Sequence, residues 1–152
     1  MDYKYYMEKV IDIAKTGQER GESPFAALLV SEDKIIEVST NKSGSSKSPL
    51  MHAELSLLLQ VSKLSLKYEN LILFSTCEPC IMCFWAAYLL GVKEIVFGAT
   101  IEDAISFGSG DIPVKIKNLN EKYSLNIKIV EEICRESCRK LFVEQIRKYG
   151  KL

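Results

Sequence analysis

The residues in this chain best suited to hold a metal are one histidine and three closely spaced cysteines. His52 stands two residues before Glu54, and Cys77, Cys80 and Cys83 follow at three-residue spacing. Imidazole and thiolate are natural zinc ligands. Cys80 and Cys83 are three apart at the head of an apolar segment, so in a helix their sulfurs share one face. Amides at a helix N-terminus favour the thiolate, which is the ligating form. His52, Cys80 and Cys83 make three ligands, one short of a closed structural site. The open position would take water, whose pKa zinc brings toward neutrality, and Glu54 is placed to carry its proton. In a regular helix, residues two apart diverge by about 200°. His52 and Glu54 therefore reach one metal only from the first turn of a helix.

These residues also admit plainer readings. A single histidine can be structural, and Cys-x-x-Cys can be a redox pair or a packing feature. Cys77 can replace Cys80 or close the site as a fourth ligand; Pro79, at a helix start, favours Cys80. Cys134 and Cys138 are four apart on an apolar stripe, which reads as core.

The chain has 152 residues, enough for one domain over 1–152 with a proper core. Twenty Lys and Arg balance twenty Asp and Glu, and 47% of residues are hydrophobic. That composition excludes a disordered or fibrous chain. The zero net charge argues against a nucleic-acid partner, because phosphate binding leaves a basic excess. The longest apolar run, Ile81–Leu90, has ten residues, too short to span a membrane. The N-terminus does not read as a signal peptide, so a cytoplasmic location with reduced cysteines is expected.

The elements that must position these residues are legible from periodicity. Tyr3, Tyr6, Met7, Val10, Ile11 and Ala14 predict an amphipathic helix ending near Gly17. Phe25–Val30 and Lys34–Thr40 predict a hairpin, and 41–49 a flexible polar loop. Helices are expected over Met51–Leu64, Pro79–Leu90 and Glu131–Lys148, with a helical turn near Glu102–Ser106. Asn70–Ser75, Glu94–Gly98 and Asn126–Val130 are the remaining strands. Strands separated by helices imply crossovers and at least partly parallel pairing, with helices on both faces.

His-x-Glu followed by Pro-Cys-x-x-Cys is the zinc deaminase signature. With His52-Ala53-Glu54 and Pro79-Cys80-Ile81-Met82-Cys83, the chain resembles the cytidine/deoxycytidylate deaminase-like superfamily. Ser23–Val30, Ser75–Cys80 and Val96–Ala99 carry the resemblance further, over most of residues 20–145. It implies a three-layer α/β/α fold with a five-stranded mixed sheet, and a Zn2+ cofactor. It also implies hydrolytic attack on a ring carbon that loses its amine as ammonia, with Glu54 as proton shuttle, and a homodimer.

Within the superfamily, the segment Thr100–Asp111 resembles the guanine or nucleoside deaminase branch. That likeness makes Asp111, 31 residues after Cys80, a second catalytic proton shuttle. It makes Asn41 a hydrogen-bonding contact to the base, Phe25 a stacking partner and Ala53 a further substrate contact. It also puts Tyr149 over the pocket, on a C-terminal segment that can exchange between subunits. In place of the pocket aromatic that branch implies on the ligand helix, the chain has Leu89. The expected activity is a zinc-dependent aminohydrolase of purine metabolism acting on a free nucleobase or nucleoside, guanine or guanosine first. The alternatives are a tRNA adenosine deaminase acting on a flipped-out base, and a non-catalytic module stabilised by zinc.

Overall fold

The computed structural model describes residues 1–64 and 68–152. Its elements are α1 (Tyr3–Glu19), β1 (Ala26–Ser31), β2 (Lys34–Thr40), α2 (Ser43–Ser46), α3 (Ala53–Ser62), β3 (Ile72–Cys77), α4 (Ile81–Leu90), β4 (Glu94–Ala99), α5 (Ile101–Ser106), α6 (Ile116–Lys122), β5 (Lys128–Val130) and α7 (Arg135–Tyr149). The five strands form one mixed sheet in the order β2-β1-β3-β4-β5. β1 pairs antiparallel with β2 and with β3; β3–β4 and β4–β5 are parallel.

The sheet is covered on both faces, which is why β1 and β4 are nearly continuous apolar runs. Alternate residues of β1 serve the two sides. Ala26, Leu28 and Val30 pack with Met7 and Val10 of α1 and with Leu141 and Phe142 of α7. Ala27 and Leu29 pack with Leu57 of α3 and with Phe84 and Ala87 of α4. The expected three-layer α/β/α architecture is therefore the one observed. Cys138 lies fully buried in the α7 face. A β-carbon on Gly98 would overlap its sulfur, so glycine is what allows α7 to lie against β4.

Several boundaries differ from the sequence expectation, each for a local reason. α4 begins at Ile81 and not Pro79, because β3 runs on to Cys77 and the turn from the sheet occupies the residues between. β5 is shortened because Asn126 is left-handed (φ 58°) and the Ile127 N–H donates to Asn120 Oδ1, not to a strand. α7 begins at Arg135 because Glu132 and Cys134 are left-handed (φ 65° and 55°). The polar stretch 41–49 contains the short helix α2. Glu22 holds it, accepting from the Gly44 and Ser45 amides at 3.2 and 2.9 Å. α6 was not expected at all; a single fully buried residue, Ile116, gives it little periodic signal.

Candidate active site

Parallel strands β3 and β4 end side by side at Cys77 and Ala99, and the site lies past those carboxyl ends, where open α/β sheets bind ligands. His52 caps α3 in extended conformation (φ −63°, ψ 156°), its carbonyl accepting from the Ser56 amide at 2.9 Å. Glu54 follows in the first turn. Cys80 caps α4 in the same way (φ −64°, ψ 166°), with Cys83 one turn on. Both pairs thus sit at helix starts. The divergence of residues two apart is removed because His52 lies just outside the helix and Glu54 just inside it.

His52 Nδ1 lies 3.6 Å from Cys80 Sγ and 3.8 Å from Cys83 Sγ. Tetrahedral zinc with ordinary Zn–N and Zn–S bonds separates nitrogen from sulfur by about 3.6 Å, so the donor set fits that ion. Among the described residues, these three supply the group of ligand atoms close enough to share one ion. Cys77 lies outside it: burial pushes its thiol well up, and Sγ faces the Thr100 carbonyl at 3.6 Å. The Cys83 thiol as donor, with His52 beside it, draws Cys80 down to about 4. Cys83 moves the other way, as the donor in that pair and through burial. Its hydrogen bond to Cys80 raises His52 to about 8. A thiolate beside an imidazolium is the charge pattern that a cation would replace.

Glu54 is 5% exposed. Burial raises its carboxyl, and a hydrogen bond from Ser75 Oγ to Oε1 at 2.7 Å opposes the rise. His52, Glu54 and Cys80 line a cavity of about 340 Å³ together with Phe25, Asn41 and Asp111. The Asn41 amide donates to the Phe25 carbonyl at 2.8 Å, which sets these two side by side, and Asn41 Nδ2 donates to Ser43 Oγ at 2.8 Å. Ser109 Oγ donates to the Asp111 carboxylate. Phe25 packs its ring 5.6 Å from that of Phe142.

Three expected positions lie elsewhere. The Ala53 side chain is in the core beneath α3, not on the cavity. Leu89 is 69% exposed near the far end of α4, so it is no substitute for a pocket aromatic. Tyr149 donates its hydroxyl to the Gln18 carbonyl at 2.7 Å, which ties α7 to α1. Ser75, Glu78 and Leu152 belong to the site but escaped the sequence reading. Ser75, with Thr76, interrupts an apolar strand with buried polar side chains, the available hint; Glu78 sits inside the ligand motif and spends its carboxylate on backbone amides.

A sequence model of the cytidine and deoxycytidylate deaminase zinc-binding region matches residues 1–99. A tRNA-specific adenosine deaminase of Buchnera aphidicola (subsp. Baizongia pistaciae, strain Bp) is 30% identical over 151 residues, 98% of this chain and 91% of the relative. A guanine deaminase of Bacillus subtilis (strain 168) is 30% identical over 114 residues, 73% of each chain. The structure of a guanine deaminase from Nitrosomonas europaea superposes with a TM-score of 0.83 at 24% identity, covering 94% of this chain and 84% of that one. This last likeness is one of fold.

Proposed function

The chain belongs to the cytidine and deoxycytidylate deaminase zinc-binding family, and from that premise we propose that it hydrolytically deaminates a free purine base or nucleoside, guanine first. The observation that carries this reading is that Asn41 and Asp111 line the same cavity as His52 and Glu54. An amide side chain offers both a donor and an acceptor, which the edge of a guanine ring demands. The cavity's volume is that of a small-molecule site.

His52, Cys80 and Cys83 would hold zinc, which supplies a water activated for attack near neutral pH. Glu54 is the proton carrier. Ser75 fixes one carboxylate oxygen, so the group is presented to the cavity in one orientation. It takes one proton from the attacking water and delivers it to the ring nitrogen, then takes the second from the hydroxyl formed on the ring carbon and delivers it to the departing amine, and ammonia leaves. Asn41 orients the base, Phe25 covers its face and Asp111 provides a second acid close to the amine. A homodimer is part of the proposal. The apolar face of α4, with Ile81, Trp85 and Leu89 exposed, is the surface that a second copy would cover; sedimentation of the purified protein at several concentrations tests it.

The second reading, deamination of adenine in tRNA, is supported by relatives of that activity aligned over nearly the whole chain. Asp111→Asn together with a tRNA assay separates the two. On the guanine reading the substitution lowers turnover of guanine by about tenfold or more. Intact guanine turnover in Asp111→Asn removes Asp111 from the chemistry; inosine formation in transcribed tRNA with no ammonia from guanine supports the tRNA reading.

A further inference from the structure

Glu78 lines the cavity and is 4% exposed, yet the reaction above gives it no part. Its carboxylate is fully used by the backbone. Oε2 accepts from the Ile101 amide at 3.1 Å, and Oε1 accepts from the Ile116 amide at 2.9 Å. Its own amide donates to the Ala99 carbonyl at 2.8 Å. Ile101 opens α5 and Ile116 opens α6, so one side chain grips both ends of the segment between them. The middle of that segment, Gly108 to Asp111, is the cavity wall facing the ligand turn. Gly108 there is left-handed (φ 96°), and the stretch 107–115 contains no regular element.

We propose that Glu78 is a positioning residue that fixes this wall, and Asp111 with it, against the turn that carries Cys80. It thereby governs how tightly substrate is held and how Asp111 is presented to it. Three features favour this role. Glu78 lies two residues before Cys80, so the ligand turn and the wall become one body through a single side chain. Each carboxyl oxygen accepts from a different backbone amide, one at the start of α5 and one at the start of α6. No neutral side chain of the same shape can replace it: glutamine has one acceptor and turns an N–H toward the second amide. The inference rests on the deaminase reading for its kinetic part alone; the clamp itself is a matter of backbone geometry.

The test is Glu78→Gln in the zinc-loaded protein, followed by amide hydrogen exchange and by kinetics on guanine. The expected result is exchange about tenfold faster or more, confined to 101–116. Zinc content stays unchanged, KM rises about tenfold or more, and kcat falls no further than in Asp111→Asn. Glu78→Asp, which keeps the charge but shortens the reach, serves where Glu78→Gln does not accumulate as folded protein. Three results overturn the proposal: parental KM despite faster exchange, zinc loss with kcat and affinity falling together, or failure of both variants to fold. If the parent releases no ammonia from any base, the deaminase reading fails instead. Exchange alone then decides the clamp, with unchanged protection over 101–116 counting against it.

Discussion

His52 and Glu54 act on one cavity because a helix begins between them, and Cys80 and Cys83 repeat the device at the next helix. At this scale the ligand assignment makes a direct prediction. Cys80→Ala and Cys83→Ala lose zinc, whereas Cys77→Ala keeps it, by metal analysis of purified protein. Full zinc in Cys80→Ala would contradict the assignment. Ser75 makes a second prediction. The hydrogen bond orients Glu54, and losing about 1 kcal/mol of it in the transition state should lower kcat roughly fivefold in Ser75→Ala. Zinc content and fold are expected to stay, because serine-to-alanine leaves no overlap and a small void; circular dichroism and metal analysis check both. The ligand motif was legible in the sequence because its spacing follows from helix geometry. Ser75 was not: its bond to Glu54 spans two elements 21 residues apart, and nothing local announces it.

The elements are held in place by polar contacts at their ends as much as by the core. Asp103 closes a capping box with Thr100 on α5 and reaches Arg135 at 2.8 and 3.0 Å, joining α5 to α7. The Arg135 guanidinium holds its carboxyl down at about 2. A carboxylate depressed on folding stabilises fully above its unfolded pKa, about 3.9, and loses that contribution as pH falls through the folded value. Asp103→Asn should therefore destabilise at neutral pH by about 2 kcal/mol. The gap from the parent should narrow as the pH drops below 4 toward 2, read by denaturant unfolding across that range; a gap independent of pH would place the effect elsewhere. β1 was legible because burial on two faces writes a continuous apolar run, and α4 because apolar residues occupy its exposed face as well as its buried one. α6 and the true start of α7 were not, since a lone buried Ile116 and left-handed Glu132 and Cys134 leave no periodic trace.

For the whole molecule, the sheet brings the carboxyl ends of β3 and β4 together, and two helix starts and the 107–115 segment enclose the cavity beyond them. The layer order followed from strands alternating with helices. The antiparallel β1–β3 pairing did not, because no turn joins those strands. Asn41 and Asp111 meet His52 only through these long-range pairings, so sequence alone placed them by resemblance. The central claim is that this enclosure performs hydrolytic deamination with Glu54 as proton carrier. Ammonia release from guanine by zinc-replete parent and zinc-replete Glu54→Gln, measured side by side, tests it most directly. The account predicts steady release by the parent and a loss of about 10²-fold or more in the variant at equal zinc content. Equal rates in the two proteins would contradict it.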